Sequence, residues 1–208
     1  MTDACVLRLP VFPLAGALLF PRAQLPLHIF EPRYREMVST ALAGDRQIGM
    51  IQPRDSGPSP ALFDVGCLGT ITDIETLEDG RYNLILEGIA RFRLVSELKT
   101  GTMFRQVEAS IGEFDDGPPD ALPHIIRAEF EEEARRFALA RGIEVNWDAV
   151  QSLDDETLIN GSAHVAPFDI ASKQALLEAP TFGERADLLI QLLRFFREQP
   201  EQTVVTLQ

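Results

Sequence analysis

The sequence predicts an α+β fold, in which a closed or nearly closed β-barrel with one inserted helix is followed by a helical bundle. Three observations lead to this prediction. Short apolar segments bounded by proline and glycine fill the first half of the chain, as is typical of strands and turns. One segment of that half, between Pro32 and Gly44, has helical periodicity instead. After the turn-forming segment 115–117, every apolar pattern is helical.

The predicted strands follow one another at short intervals. The segments expected to be extended are 6–11, 24–30, 65–77, 82–95 and 104–114. Asp79 and Gly80 separate the third segment from the fourth, and an Asp-Gly pair favours a tight hairpin turn. Gly88 predicts a bend or bulge within the fourth segment. Because glycine-marked corners suit a curved sheet, the sequence predicts a barrel of roughly six or seven short strands.

The inserted helix is predicted by its apolar spacing. Positions i, i+3, i+4, i+7 and i+8 are occupied by Tyr34, Met37, Val38, Ala41 and Leu42. A proline stands at the start of the segment and a glycine at its end, as helix boundaries favour. We expect the apolar face of this helix to pack on the sheet.

Four helices are predicted in the second half of the chain. The first carries one apolar stripe, formed by Leu122, Ile126, Phe130 and Phe137. The second begins at Asp154 as N-cap and ends at Pro167, and the third covers residues 173–178. The last opens with Thr181 and Glu184, which have the spacing of a capping box. Since these helices are amphipathic, we expect them to share one partner surface.

A boundary between two units is predicted at the acidic segment 115–119, which is rich in glycine and proline. It separates a β-barrel unit, residues 1–117, from a helical subdomain of the same module, residues 118–208. A chain of 208 residues with 45% hydrophobic side chains can bury a real core. We therefore expect two small units that pack closely together.

The charge of the chain is strongly negative. Its 32 acidic and 19 basic residues give a formal net charge of −13, which would repel a phosphate backbone. No run of basic residues forms a stripe or tail. Nucleic acid is therefore not expected as a partner.

Cysteine usage and hydropathy bear on the compartment. Cys5 and Cys67 are the only cysteines, too few for a disulfide framework, which favours a reducing environment. The longest uncharged stretch is too short to span a bilayer and has a poor signal-peptide pattern. We expect a cytoplasmic protein with no membrane partner.

The sequence contains no recognisable pattern for catalysis or metal binding. A phosphate-binding loop of the form G-x-x-x-x-G-K-[ST] does not occur. Ser162 lacks the G-x-S-x-G elbow of a nucleophilic serine and falls within a predicted helix. The histidines His28, His124 and His164 are scattered, without a paired carboxylate or cysteine motif. We expect no enzymatic activity, no metal and no cofactor.

Several motifs of the first half nevertheless form a specific set. They are LPVFPL at 9–14, LFP at 19–21, LPLHIFEPRY at 25–34, DVGCLGTI at 64–71 and LEGIARF at 86–92. In this order and spacing they resemble the Lon N-terminal (substrate-binding) domain family. The segments PF at 167–168, KQALLE at 173–178 and ER at 184–185 are similar to the helical half of that family. The resemblance covers nearly the whole chain.

This resemblance implies a PUA-like β pseudo-barrel followed by a helical bundle, in agreement with the patterns above. It also implies recognition of unfolded or tagged polypeptides. The chain is similar to the stand-alone bacterial members of the family, because the ATPase and Ser-Lys peptidase modules of full-length Lon are missing from it. We expect a non-catalytic protein- or peptide-binding module that acts as an adaptor or holdase, with a protease as a further partner. Small-molecule or RNA binding through the PUA-like barrel is the alternative.

The candidate peptide-binding surface lies between the barrel and its inserted helix. The candidate residues are Phe20, Leu25, Pro26, His28, Phe30, Arg33, Tyr34, Glu87 and Arg91. Most large apolar side chains are buried for packing, so a core position is the alternative for each of them.

Overall fold

The computed structural model describes residues 5–57, 59–118 and 121–198. The six strands are β1 (Cys5–Pro13), β2 (Gln24–Ile29), β3 (Gln47–Pro53), β4 (Leu62–Thr76), β5 (Tyr82–Leu98) and β6 (Arg105–Ile111). One helix, α1 (Pro32–Leu42), lies between β2 and β3. The helices that follow the strands are α2 (His124–Ala140), α3 (Trp147–Gln151), α4 (Asp155–Val165), α5 (Ile170–Glu178) and α6 (Phe182–Glu198). The predicted α+β fold is confirmed.

Five of the strands close on themselves, and β2 is an additional strand. The sheet has the order β2-β5-β4-β3-β1-β6, and β6 also pairs with β5. The long strand β5 makes this possible, because its first half pairs with β2 and its second half, from Phe92 onwards, pairs with β6. All pairs are antiparallel except β1 with β3.

The bend predicted at Gly88 is confirmed. The pairing of β5 with β4 shifts by one residue between Gly88 and Ala90. A Cβ atom at Gly88 would overlap the backbone carbonyl of Phe20, so the connection from β1 to β2 crosses β5 at this point. Only glycine allows such a close backbone approach.

Local signals in the sequence identify most of the remaining elements correctly. Gly80 has a φ of 77°, as the predicted hairpin turn requires. Thr181 and Glu184 form the predicted capping box, in which the Thr181 N–H donates to Glu184 Oε2 at 3.0 Å and the Glu184 N–H donates to Thr181 Oγ1 at 3.2 Å. The side chain of Asp154 accepts from the Thr157 N–H at the start of α4.

Two elements, β3 and α3, are not among the predicted segments. Strand β3 is buried at nearly every position, so it lacks the alternation that reveals a half-exposed strand. Helix α3 has only five residues, fewer than an amphipathic pattern needs, and its N-cap Asn146 accepts from the Ala149 N–H.

The core has three parts. The predicted apolar face of α1 is buried against the barrel through Tyr34, Met37, Val38 and Ala41. A second cluster, which includes Leu9, Val11, Phe92 and Val107, fills the closed part of the barrel. The third cluster joins Phe20 and Val65 of the first half to side chains of α2, α4, α5 and α6. The helices therefore share one apolar surface with the barrel.

Buried polar groups also connect the helices to the strands. Gln174 on α5 donates to the Val65 carbonyl at 3.0 Å and accepts from the Gln52 amide at 3.1 Å. The Lys173 ammonium donates to the carbonyl oxygens of Gly16 at 2.9 Å and His164 at 2.7 Å. Because buried polar groups need such partners, these bonds fix the orientation of α5 on the barrel.

Candidate functional site

The candidate site is the outer face of β2 and the start of α1. In β2, Leu25 and Ile29 are buried, whereas Pro26 and His28 are exposed. Phe30 follows the strand directly and continues the exposed set. Since alternate side chains of a strand point to opposite faces, these three share the outer face. We call Pro26, His28, Phe30 and the neighbouring Arg33 the β2 surface.

Phe30 is the apolar centre of the β2 surface. Phe30 is 59% exposed, and among the described phenylalanines only Phe195 is similarly exposed. The ring of Phe30 lies 6.1 Å from the ring of His28, with 27° between their planes. Pro26 and Phe30 are thus the apolar members of this face, and the polar ring of His28 lies between them in the sequence.

Strand β2 is an edge strand. Within the described residues it pairs with β5 alone, so its other side has no ladder partner. Unpaired backbone groups of an edge strand can accept the strand of another chain. Pro26 lies in this edge strand, which is where sheets tolerate a residue without an N–H group.

His28 is oriented by polar neighbours. Its Nδ1 lies 2.7 Å from Asn83 Oδ1, and its Nε2 lies 3.3 Å from Arg81 Nη1. These distances fit a ring that donates from Nδ1 to Asn83 and accepts at Nε2 from Arg81. Asn83 in turn donates to Glu75 Oε2 at 2.8 Å. The ring of His28 is therefore held in place on the outer face.

Arg33 extends the β2 surface onto α1. Its guanidinium forms an exposed ion pair of 2.9 Å with Glu31 and lies 4.5 Å from the centre of the Tyr34 ring. Exposed ion pairs are weak, so this guanidinium can exchange Glu31 for another partner at little cost.

Three of the nine candidate residues are apolar core residues. Phe20, Leu25 and Tyr34 are all buried. Phe20 belongs to the cluster beneath the helices, while Leu25 and Tyr34 belong to the cluster between α1 and the barrel. The tilted Tyr34 ring lies 4.3 Å from the ring of Phe12. Leu25 and Tyr34 thus lie beneath the β2 surface, whereas Phe20 packs against the helices, and burial leaves none of the three a face for a ligand.

Arg91 is also buried, with 1% of its side chain exposed. Its Nε donates to Asp116 Oδ1 at 2.7 Å, and its backbone N–H donates to Asp116 Oδ2 at 2.6 Å. Its Nη1 donates to the carbonyl oxygens of Leu177 and Ala179. Arg91 therefore connects the barrel to the helices and is far more enclosed than a contact residue of an open surface.

Glu87 lies opposite Gln24 in the ladder between β2 and β5. It is half-buried and accepts from Gln24 Nε2 at 3.3 Å. Glu87 thus lies beside the start of β2, while Phe30 follows the end of that strand. Of the nine candidates, Pro26, His28, Phe30, Arg33 and Glu87 remain accessible.

The sequence patterns did not identify the cross-strand neighbours of the β2 surface. Ile85 lies opposite Pro26, and Asn83 lies opposite His28. The Asp79-Gly80 turn sets the register of β5 on β4, but no local signal gives the register of β5 on β2. These two strands are separated by α1, β3 and β4.

The described part of the chain holds no group of three or more His, Cys, Asp or Glu side chains arranged to bind a metal ion. None of its helices is both long enough and apolar enough to cross a bilayer. His164 has a structural contact, because its Nδ1 lies 2.9 Å from the carbonyl oxygen of Leu18.

Comparison with known families agrees with this architecture. The family described as the ATP-dependent protease La (LON) substrate-binding domain matches residues 8–194, which include every helix and strand that bounds the β2 surface. The chain belongs to this family. The Lon substrate-binding domain is thus the fold on which the β2 surface is built, and the resemblance drawn from the sequence motifs is confirmed.

Relatives within the Lon family match at low identity over nearly the whole chain. Lon protease 1 of Bdellovibrio bacteriovorus is 26% identical over 197 residues, covering 91% of this chain and 25% of that protein. Lon protease 1 of Thermus thermophilus is 26% identical over 205 residues, covering 93% of this chain and 25% of that protein. The chain therefore spans about a quarter of the length of these relatives.

Solved structures of Lon N-terminal domains have the same fold. A Lon N-terminal domain protein from Xanthomonas campestris aligns with a TM-score of 0.62 at 23% identity, covering 91% of this chain and 98% of that chain. The N-terminal domain of a Mycobacterium avium complex Lon protease aligns with a TM-score of 0.60 at 18% identity, covering 90% of this chain and 98% of that chain.

Proposed function

We propose that this chain captures exposed apolar segments of unfolded or tagged polypeptides at the β2 surface, as an adaptor or holdase. Membership of the Lon substrate-binding domain family supports a role in substrate recognition. The single observation that carries the location is the exposure of Phe30 beside an edge strand. An apolar side chain and an unpaired strand edge together offer what an extended polypeptide can use.

The proposed binding mode is strand addition. A client segment forms backbone hydrogen bonds with the free edge of β2 and places apolar side chains against Pro26 and Phe30. The contact area is small, so the affinity is that of a transient complex, with a Kd of about 1 μM, or about −8 kcal/mol, at the strongest. Because apolar and backbone contacts dominate, added salt changes the affinity of an uncharged client little.

We propose that the chain acts without chemistry of its own. The sequence has no phosphate-binding loop and no activated serine, so we expect neither ATP hydrolysis nor casein cleavage. Any degradation of clients then depends on a partner protease in the cytoplasm. The net charge of −13 makes nucleic acid a poor partner for the same surface.

A matched pair of substitutions tests the proposed function. Phe30 and Phe195 are similarly exposed, at 59% and 56%, but Phe195 lies on α6, outside the β2 surface. Binding of a permanently unfolded, uncharged reporter polypeptide is measured by calorimetry for the wild type, Phe30→Asp and Phe195→Asp. We expect Phe30→Asp to weaken binding at least about tenfold, since a carboxylate must then be desolvated in the contact.

The control variant Phe195→Asp should bind the reporter with unchanged affinity, and both variants should melt cooperatively like the wild type. Equal weakening by the two substitutions would place the contact elsewhere. A wild-type protein that shows no heat of binding at high concentration would reject the proposed function as a whole.

A further inference from the structure

A cavity of about 380 Å³ lies on another part of the molecule. Its walls come from the connection between β1 and β2, the segment after β6, and the beginning of α6. None of the four residues of the β2 surface lines it. A cavity of this volume can hold a small ligand.

Four of the six charged side chains around the cavity form direct ion pairs. Six ionisable side chains line it, namely Arg22, Arg91, Asp115, Asp116, Glu156 and Arg185. Arg22 pairs with Glu156 at 2.6 Å, and Arg91 pairs with Asp116 at 2.7 Å. Asp115 is exposed and accepts from the Gly117 N–H at 3.3 Å. This leaves Arg185 as the buried cation of the lining that forms no direct ion pair with the described residues, although the Asp116 and Glu156 carboxylates are near enough to interact with it electrostatically.

Arg185 is 5% exposed and is only partly satisfied. Its Nε donates to the Leu176 carbonyl at 3.1 Å, and its Nη1 donates to Asn160 Oδ1 at 3.0 Å. Its Nη2 forms no hydrogen bond with the described residues, and the guanidinium lies 4.5 Å from the centre of the Phe20 ring. Burial, together with the neighbouring charge of Arg91, lowers the pKa of Arg185 to about 10, and the carboxylates of Asp116 and Glu156 oppose this shift only in part. A buried guanidinium without a direct ion pair is costly, and an anion bound at Nη2 would offset that cost.

The beginning of α6 adds further donors to the same cavity. The capping box engages the N–H groups of Thr181 and Glu184. Phe182 and Gly183, which stand between them, also line the cavity, and the structure gives their N–H groups no acceptor from the described residues. The first N–H groups of a 17-residue helix and its dipole favour an anion.

We propose that this cavity binds a small oxyanion, a carboxylate or a phosphate, between the Arg185 guanidinium and the first turn of α6. The oxyanion forms the direct ion pair that Arg185 lacks among the described residues, and it accepts from the N–H groups of Phe182 and Gly183. It comes either from a free metabolite or from the terminal carboxylate of a polypeptide. The inference goes beyond the proposed function, because it concerns a different part of the surface and a different ligand.

Gly183 offers a better test than Arg185. Replacing Arg185 would also remove its bonds to Leu176 and Asn160, which hold α5 and α4 in place. A Cβ at Gly183 meets no atom within 4 Å, so a side chain fits there. Gly183→Asp puts a carboxylate at the cavity and near the helix N-terminus, where negative charge is stabilising. Gly183→Ala adds the carbon atom without the charge.

A second control carries the same change of charge elsewhere. A Cβ at Gly101, between β5 and β6, also meets no atom within 4 Å. Gly101→Asp therefore makes the protein equally more acidic without touching the cavity. All variants are compared by calorimetry and amide NMR titration at constant ionic strength, with sodium chloride as the balancing salt.

The probes are sodium phosphate, sodium acetate, and one uncharged-side-chain peptide with either a free or an amidated C-terminus. We expect the wild type, Gly183→Ala and Gly101→Asp to bind with the same Kd. Gly183→Asp should bind at least about tenfold more weakly, because a like charge a few ångströms away opposes the anion. Amide shifts should be largest at Phe182 and Gly183.

The arms distinguish the sources of the oxyanion. Preference for phosphate or acetate indicates a free small anion, whereas at least about tenfold preference for the free-acid peptide over its amide indicates a chain terminus. Absence of binding by every probe to the wild type would overturn the inference. Equal binding to Gly183→Asp and Gly183→Ala would overturn it as well, and neither result would affect reporter binding at Phe30.

Discussion

The Arg91 guanidinium donates from Nη1 to the carbonyl oxygen of Ala179 at 2.6 Å, across 88 positions of the sequence. Arg91 lies on strand β5, and Ala179 lies between α5 and α6. The same guanidinium pairs with Asp116 in the segment that leads from the barrel to the helices. One buried side chain thus holds together the barrel, the connecting segment and the helical part.

Replacing Arg91 should therefore strongly lower the stability of the fold. We expect Arg91→Met to lower the free energy of unfolding by about 3–5 kcal/mol, since it leaves the Asp116 carboxylate without its partner. Arg93→Met is the control, because Arg93 lies on the same strand and pairs with Glu113 at the surface. Its effect should stay below about 1 kcal/mol. Denaturant unfolding of both variants measures the difference, and equal losses would contradict this account of Arg91.

Residues 1–117 and 118–208 should behave as one cooperative module. Phe20 and Val65 of the first part lie in the same apolar cluster as the helices. A fragment that ends after Pro118 exposes this cluster, so we expect it to aggregate. Light scattering and size-exclusion chromatography of the fragment test this. A monomeric fragment that melts cooperatively would show instead that the barrel is independent.

Substitution of Gly88 should destabilise the protein. In Gly88→Ala the new methyl group would overlap the carbonyl of Phe20, and the chain must shift to accept it. We expect a loss of about 1–3 kcal/mol in the free energy of unfolding. In Gly161→Ala, within α4, the methyl group meets no atom within 4 Å and should stabilise the protein by up to about 1 kcal/mol. If thermal melts show the same change in stability for Gly88→Ala and Gly161→Ala, the backbone of Phe20 does not lie as close to Gly88 as described.

The thiol of Cys67 should report global unfolding. Cys67 is fully buried, and this burial raises the pKa of its thiol well above the ordinary range, so little reactive thiolate forms at neutral pH. In a Cys5→Ser variant, a disulfide reagent should label the remaining thiol slowly without denaturant and quickly in denaturant. Fast labelling of the native variant would mean that the barrel opens locally near β4.

Structural features that depend on residues close in the sequence are easier to predict than features that depend on distant residues. The apolar face of α1 and the Thr181-Glu184 capping box depend on neighbours close in the sequence, and both agree with the prediction. The residue type of Gly88 indicates the bend there, but the backbone of Phe20 that requires a glycine comes from a distant part of the chain. Strand β3 was missed because burial on both faces removes the alternating pattern.

The candidate site shows the same division between local and distant information. Side chains of an extended segment alternate between its two faces, so the sequence places Leu25 and Phe30 on opposite faces. Only the packing of α1 on the barrel decides which of these faces is buried. The surroundings of the Arg185 guanidinium come from Leu176, Asn160 and the distant Phe20, so no local motif reveals them.

The central claim is that clients bind at the β2 surface. Hydrogen–deuterium exchange of the full chain, with and without the unfolded reporter, tests this claim most directly. Added strand pairing protects backbone amides that otherwise exchange with water. We predict that protection is concentrated in residues 24–31 and the first turn of α1, and that Phe30→Asp abolishes it. Protection confined to α2 and α6, with β2 exchanging as fast as in the free protein, would contradict the location of the site.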